Sequence, residues 1–201
     1  ACNNIIQLNR NGTLDSSFSF SNDYVRGVTS LAFDSIFNVV VGGYLLYQSR
    51  FSYNGVGRIN TNGLTDSGFS PNSFGDNSVA SIDIQPDGKI IAAGSFTSYS
   101  NFRRNRIVRL NRNGSVDGSF NPNFGANTWI NKVIHLANGK VLIAGDFITY
   151  NRLRKVRLAR LNSDASLDTT FNLGTGPNRN VLSMLVLPSG KILICGSFDT
   201  V

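Results

Sequence analysis

The chain lacks glutamate altogether and contains one methionine, one histidine and two cysteines among its 201 residues. Its 12 acidic residues are therefore all aspartates. Glutamate and methionine favour helices, whereas the 20 glycines and 25 asparagines favour tight turns because both tolerate positive φ angles. The composition predicts an all-β fold.

Cysteines and long apolar runs are scarce as well. Cys2 and Cys195 are too few for a disulfide framework or a zinc site. No apolar run approaches the roughly 20 residues that span a bilayer, so we expect no membrane insertion. We expect no signal peptide. Because Ala1 lies just ahead of a predicted strand, we expect a processed start or a piece of a longer protein.

One sequence pattern recurs four times at a spacing of 51 residues. Its first half ends in a phenylalanine, namely Phe18, Phe69, Phe120 and Phe171. Its second half contains a glycine in the same phase, namely Gly43, Gly94, Gly145 and Gly196. A constant period over the whole chain indicates small units that must stack on one another to bury their faces.

Each repeat contains four predicted strands, A to D. In the second copy, strand A is Val79–Ile84, strand B is residues 89–96, strand C is residues 107–111, and a short strand D ends at Phe120. The pairs Asp87-Gly88 and Asn113-Gly114 mark tight A–B and C–D turns. Short strands joined by tight turns predict an all-β propeller of four 51-residue blades, either a closed four-bladed ring or part of a larger propeller.

We expect a single domain over residues 1–201, with repeats at 8–58, 59–109, 110–160 and 161–201 and with 1–7 completing the last one. The chain opens with strands C and D and stops after A and B, so joining its ends would complete a fourth blade. The alternative is four blades of a longer array. Cys195 stands at a small strand-B position and is expected to be buried. In a closed ring a disulfide to Cys2 would pin the closure if the register allows it.

The pattern R-L-N-x-[ND]-G-x-[LV]-D-x-[ST]-F, followed by G-K-[IV]-[LI] and G-[SD]-F, resembles the delta-60 repeat of bacterial β-propeller proteins. The resemblance covers essentially the whole chain. The first copy departs from it at Phe37-Asn38 and Tyr44-Leu45, and one C–D turn departs at Asp164-Ala165. The resemblance implies an interaction scaffold in a secreted, surface or phage structural protein, and it supplies no catalytic residues. Fold alone does not give function.

Four aspartates, Asp15, Asp66, Asp117 and Asp168, occupy one repeat position. We expect a residue found in every copy to brace the C–D turn rather than to catalyse a reaction. Residues 9–15 resemble a calcium loop only faintly, since an EF-hand loop needs a distal glutamate. We therefore predict no metal site, no cofactor and no enzymatic activity.

His135 is the single histidine, at a strand-A position whose equivalents are Phe33, Ile84 and Val186. We expect a structural role for it, either buried or lining a channel. Without a second histidine or a cysteine partner, neither a metal site nor a Ser/His/Asp triad is predicted.

The B–C and D–A connections share one face of the predicted blades, called here the loop face, and they differ between copies. Variable loops on a rigid scaffold are the usual place of binding. The net charge is +7, and 14 of the 19 basic residues are arginines, which together with aromatic residues suit an anionic partner. The alternative is that the arginines are solvated and the aromatic residues pack between blades. The candidate ligand-binding residues are Arg50, Arg103, Arg104, Arg106, Arg152, Arg154, Lys155, Tyr99, Tyr150, Trp129 and Arg179.

We expect a non-enzymatic binding or structural module of a surface, secreted or virion protein, which recognises a protein or an anionic glycan or assembles into a larger complex. A carbohydrate-active enzyme is the alternative from another class, and it would gather aspartates at one mouth of the ring. Nucleic acid is a less favoured partner, because only 15% of the residues are charged and no nucleic-acid motif is present.

Overall fold

The computed structural model describes residues 5–18, 25–34, 38–47, 51–69 and 74–201. The strands within these ranges are β1 (Val25–Phe33), β2 (Val39–Tyr47), β3 (Phe51–Ile59), β4 (Phe74–Gly75), β5 (Val79–Ile84), β6 (Ile90–Gly94), β7 (Ser98–Tyr99), β8 (Phe102–Arg103), β9 (Ile107–Leu110), β10 (Ile130–His135), β11 (Val141–Gly145), β12 (Thr149–Tyr150), β13 (Leu153–Arg154), β14 (Leu158–Leu161), β15 (Val181–Val186) and β16 (Ile192–Gly196). The predicted all-β fold is confirmed. In the described ranges no helix has the length and apolar character to cross a membrane.

Each repeat folds around one antiparallel sheet, called here a unit. Unit I contains β1, β2 and β3, unit II contains β5, β6 and β9, unit III contains β10, β11 and β14, and unit IV contains β15 and β16. In unit II, Ile90 lies opposite Ile84 on one side and Leu110 on the other. Unit III keeps this register 51 residues later. Strands A and C are therefore confirmed where the sequence predicted them.

The predicted strand D does not form. One isolated bridge takes its place in each described repeat, as between Leu110 and Val116. The Ser119 N–H and hydroxyl both donate to the Asp117 carboxylate, at 2.9 and 2.7 Å, and the Phe120 N–H donates to the Asp117 carbonyl at 3.3 Å. Such local hydrogen bonds compete with ladder pairing. The segment turns instead of extending, and the prediction of a fourth strand was wrong.

The repeated aspartate braces this turn, as predicted. Asp117 Oδ2 accepts hydrogen bonds from Lys89 Nζ at 2.9 Å and Arg109 Nε at 2.8 Å. Burial would raise the pKa of Asp117, but hydrogen bonds from Ser119, Lys89 and Arg109 outweigh it and hold that pKa well below its usual range. The same contacts recur in unit III among Asp168, Lys140 and Arg160. The aspartate position is therefore structural.

The hydrophobic core lies between successive units. One cluster packs Ile91, Ile107 and Phe120 of unit II against Ile130 and Val141 of unit III, all of them fully buried. Corresponding clusters join unit I to unit II, unit III to unit IV, and residues 5–18 to unit I. A single sheet has two apolar faces and buries them only by stacking, as expected of a repeat protein.

His135 links the first strands of two units. Its backbone N–H and its Nδ1 lie 2.7 and 2.8 Å from Asp83 Oδ2, and its side chain is 26% exposed. This half-buried pair fits the predicted structural role.

The closed ring is not confirmed. Within the described residues β16 is hydrogen-bonded to β15 alone, and residues 5–8 make only the bridge between Leu8 and Leu14. Cys195 is an exposed free cysteine. The prediction that it is buried was wrong, because no strand among the described residues covers the outer edge of β16. Cys2 lies outside the described residues, so its pairing stays a prediction.

Candidate binding face

The B–C connections of units II and III form two small hairpins on the loop face. β7 pairs with β8 in one of them, and β12 pairs with β13 in the other. The turn residues of the second hairpin, Asn151 and Arg152, have φ angles of 50° and 65°. Two successive left-handed residues are what a two-residue type I′ hairpin turn requires. The repeat thus places two equivalent hairpins 51 residues apart.

The D–A connection between units II and III lies between these hairpins. The Asn151 N–H donates to the Gly125 carbonyl at 2.9 Å, and Asn105 Nδ2 donates to the Phe124 carbonyl at 2.9 Å. Gly125 has a φ of 57°, and a Cβ there would collide with the Asn105 carbonyl oxygen. These contacts position Phe124 against both hairpins.

The Phe124 ring contacts guanidinium groups from two neighbouring units. The Cζ of Arg152 lies 3.6 Å from the ring centroid and that of Arg103 lies 5.6 Å from it. Phe124 is 43% exposed and both arginines are exposed. Among the described residues neither arginine forms an ion pair with an aspartate. These three residues, called here the arginine–phenylalanine stack, present part of an aromatic ring and two positive charges to solvent.

Three other arginines of the loop face are structural. Arg104 is 8% exposed, its Nη1 donates to the Arg103 carbonyl at 2.9 Å, and burial lowers the pKa of its guanidinium. Arg106 and its equivalent Arg157 have positive φ angles and donate to the Ser95 and Asp146 carbonyls. These side chains fasten the hairpins to their own units rather than reaching outward.

Tyr99 and Tyr150 are fully buried. The Tyr150 hydroxyl donates to the Ala165 carbonyl at 2.8 Å, and the Tyr99 hydroxyl accepts from the Val56 N–H at 3.1 Å. Burial raises the pKa of both phenols. A side chain without exposed surface does not contact a ligand from solution, so we leave the two tyrosines out of the site.

The remaining candidates differ in their exposure and in their partners. Arg154 is exposed, and Trp129 is 60% exposed. Lys155 is half-buried, and its Nζ donates to the Phe171 carbonyl at 3.3 Å. Arg179 is exposed, with Nη2 3.9 Å from Asp199 Oδ2. Arg50 lies outside the described residues.

A pocket of about 140 Å³ lies beside unit III, lined by residues that include Arg154, Lys155, Thr175 and Gly176. The corresponding space beside unit II is occupied by the next hairpin, whose Asn151 bonds the Gly125 carbonyl and whose Arg152 covers Phe124. By the repeat, this pocket corresponds to the space that the hairpin fills beside unit II, and we do not count it as a separate ligand site.

Phe124 is the member of the stack that sequence reasoning did not single out. The signal was available, because its equivalents in the neighbouring repeats are Ser73 and Thr175. An aromatic residue at a repeat position that is otherwise small and polar indicates a feature found at only one junction between repeats.

Comparison with known proteins supports the repeat architecture. The model of a family described as "Domain of unknown function (DUF5122) beta-propeller" matches residues 1–18, 85–120 and 136–171. The matched segments are similar to β-propeller repeats. No curated protein matches the sequence.

Solved structures similar to these propeller repeats include a protein of unknown function from Bacteroides caccae, with a TM-score of 0.44 and 13% identity over 81% of this chain. Another is the extracellular domain of a hybrid two-component system from B. thetaiotaomicron, with a TM-score of 0.48 and 18% identity over 89% of this chain. The present chain covers 56% and 21% of those two chains.

Proposed function

We propose that the chain is a non-enzymatic binding module of an extracellular or cell-surface protein, built from repeats of the delta-60 type, and that it recognises an acidic carbohydrate through the arginine–phenylalanine stack. The observation that carries the proposal is the contact of an exposed aromatic ring with two exposed guanidinium groups, neither of which is paired with an aspartate in the described part of the chain. The recurring R-L-N-x-[ND]-G pattern and the asparagine-rich composition support the surface location.

The chemistry of the stack suits sugars that carry carboxylate or sulfate groups. Guanidinium forms paired hydrogen bonds with such groups, and an aromatic side chain contacts the apolar face of a sugar ring. The net charge of +7 adds long-range attraction to a polyanion. An acidic protein surface would also form ion pairs with the arginines, but the isolated aromatic ring beside them would contribute less to binding such a surface.

The experiment measures binding to immobilised sulfated, carboxylated and neutral polysaccharides at physiological salt. We expect the double variant Arg103→Ser with Arg152→Ser to bind the acidic polysaccharides about tenfold more weakly than the unmodified chain. The matched control is Arg10→Ser with Arg112→Ser, which removes the same charge from exposed C–D turns on the opposite face. We expect the control to change the affinity by less than about threefold, an effect of net charge alone.

Three results would contradict the proposal. Equal losses in both double variants would mean that net charge alone drives association. Shortening of the polysaccharide during incubation, seen in its size distribution, would mean that the chain is an enzyme. Selective binding of an acidic protein but of no acidic polysaccharide would mean that the stack recognises a protein partner.

A further inference from the structure

Asparagine–glycine pairs lie in tight turns that share one backbone geometry. In each turn the glycine has a φ between 77° and 86°, and its N–H donates to the carbonyl of the residue three positions earlier at 2.8–3.0 Å. The asparagine is exposed in every one of them. The backbones are therefore alike, and the turns differ in how the asparagine side chain is held. The pairs are Asn11-Gly12, Asn62-Gly63, Asn113-Gly114 and Asn138-Gly139.

An asparagine followed by a glycine is chemically labile. The glycine nitrogen, once deprotonated, attacks the Cγ of the asparagine side chain, and no Cβ on the glycine obstructs the approach. The carboxamide C–N bond breaks, and its nitrogen leaves as ammonia together with the proton that the backbone nitrogen gave up. The cyclic succinimide that remains is opened by water at either carbonyl, which gives aspartate or isoaspartate. In a folded chain the reaction requires the carboxamide to rotate towards the glycine nitrogen.

Two of the turns hold the carboxamide in place with a hydroxyl residue. Asn113 Oδ1 accepts hydrogen bonds from the Ser115 N–H at 3.1 Å and from the Ser115 hydroxyl at 2.8 Å. Thr13 holds Asn11 in the same way, at 3.1 and 2.7 Å. The residue two positions after the asparagine thus fixes the side chain that would have to rotate.

Asn62 lacks such a partner. Leu64 occupies the position that Ser115 and Thr13 have in the other copies. Leucine has no hydroxyl, and the Leu64 N–H donates to Asn60 Oδ1 at 3.0 Å instead. The Asn62 carboxamide forms no hydrogen bond within the part of the chain that the structure describes. Only its own torsion angles restrict its rotation.

We infer that Asn62 is the main site of spontaneous deamidation in the folded chain, with conversion to aspartate and isoaspartate. Among the turn asparagines of the described residues, it alone combines a glycine neighbour, an exposed side chain and a carboxamide without a hydrogen bond. The reaction adds a negative charge to a C–D turn, on the face opposite the arginine–phenylalanine stack. The inference is independent of the proposed function.

The fourth copy of the turn indicates that the aspartate product is tolerated. Asp164 stands at the repeat position of Asn62. Its Oδ1 accepts a hydrogen bond from the Ser166 N–H at 2.8 Å, and hydrogen bonds from the Ser166 side chain and backbone lower its pKa. Isoaspartate differs, because it adds a methylene to the backbone and lengthens the turn that the bridge between Ile59 and Thr65 closes.

The experiment follows each turn asparagine while the folded chain is incubated in mildly alkaline buffer. Proteolysis and mass spectrometry give the converted fraction at each site, and chromatography separates aspartate from isoaspartate peptides. We expect Asn62 to convert about tenfold faster than Asn113, since two hydrogen bonds must break before the Asn113 side chain rotates. Asn138 Oδ1 accepts one hydrogen bond, from the Lys140 N–H at 3.2 Å, and its rate should lie between the two.

The chain unfolded in guanidinium chloride is the first control. It keeps the local sequence but not the turns, so we expect Asn62 and Asn113 to convert at similar rates there. A difference between the two sites that persists unchanged in the unfolded chain would overturn the inference, because the local sequence would then account for it.

Matched variants exchange the deciding residue between two turns. Leu64→Ser supplies a hydroxyl and should slow the conversion of Asn62 by about fivefold. Ser115→Leu removes one and should accelerate the conversion of Asn113 by about the same factor. Leu64→Ala supplies no hydroxyl and should leave the rate at Asn62 unchanged. Thermal unfolding checks that every variant is folded.

Three further results would overturn the inference. One is conversion of Asn113 as fast as that of Asn62 in the folded chain. Another is a rate at Asn62 that is the same in folded Leu64→Ser as in the unmodified chain. The third is an Asn62 that stays intact in the folded chain over a time in which the unfolded chain reacts.

Discussion

The guanidinium of Arg152 lies 3.6 Å from the centroid of the Phe124 ring, although the two residues belong to different repeats. The contact joins the hairpin of unit III to the connection that leaves unit II. A ring and a guanidinium in this position attract each other by about 0.5–1 kcal/mol at exposed sites. The junction between two repeats therefore carries a surface that neither repeat presents alone.

Replacement of Phe124 by alanine should reduce binding to acidic polysaccharide by about fivefold and leave stability nearly unchanged. The ring is 43% exposed, so its loss removes the contact surface and frees the two arginines but leaves no cavity. Binding assays and thermal unfolding measure the two effects. Leu64→Ala is the control, an exposed apolar residue on the opposite face, and an equal loss of binding there would argue against the stack.

Asp117→Asn should lower the free energy of unfolding by about 1–3 kcal/mol at pH 7, because Lys89 and Arg109 lose the charge that they bind. The pKa of Asp117 is lower in the folded than in the unfolded chain. Its contribution is therefore complete above the unfolded pKa of about 3.9 and is lost as the pH falls below it.

Urea unfolding at several pH values tests this linkage. The difference between the unmodified chain and Asp117→Asn should shrink below about pH 4. Asp87→Asn is the matched control, since asparagine already occupies the equivalent turn position in unit III. A difference that persists unchanged at low pH would mean that the ion pairs do not account for the effect.

Gly145→Ala should destabilise the chain by about 2–3 kcal/mol. A Cβ at Gly145 would collide with the Trp129 carbonyl oxygen on the neighbouring strand, and relief requires a backbone shift. Gly118→Ala meets nothing within 4 Å and should change stability by less than about 0.5 kcal/mol. Chemical unfolding of both variants checks the contrast, and similar values for the two would contradict the close approach.

Tyr150→Phe should lower the free energy of unfolding by about 1–2 kcal/mol and leave ligand affinity unchanged, because the buried hydroxyl donates to the Ala165 carbonyl. Tyr44→Phe, at an exposed residue, should alter neither. Unfolding and binding measured together separate the structural from the ligand-binding interpretation. If the Tyr150→Phe variant is stable but binds the ligand more weakly, Tyr150 belongs to the binding site.

The period of the repeat predicts most of the fold. Val79–Ile84 is a strand as expected, and the aspartates at one repeat position brace a turn, because a residue needed in each unit recurs with the unit. Tyr99 and Tyr150 are likewise 51 residues apart and both buried, so their shared repeat position also indicates a structural role.

Features that the period did not predict depend on neighbours outside the local pattern. The repeat pattern predicts that Phe120 ends a strand. In the structure the hydrogen bonds of Asp117 turn the chain before strand pairing reaches Phe120. Comparison with Ala93 predicts that Cys195 is buried, but burial at that position requires a strand paired with the outer edge of β16. Phe124 and Arg152 belong to one junction. Their equivalents in the preceding repeat, Ser73 and Asn101, do not offer a ring and a guanidinium, so the period does not predict this contact.

Hydrogen exchange, with and without a saturating acidic polysaccharide, tests the central claim most directly. The account predicts protection confined to the hairpins β7–β8 and β12–β13 and to residues 121–129 between them. Protection of the C–D turns on the opposite face would contradict it. The account would also be contradicted if no acidic polysaccharide in the panel changed the hydrogen-exchange rates anywhere in the chain.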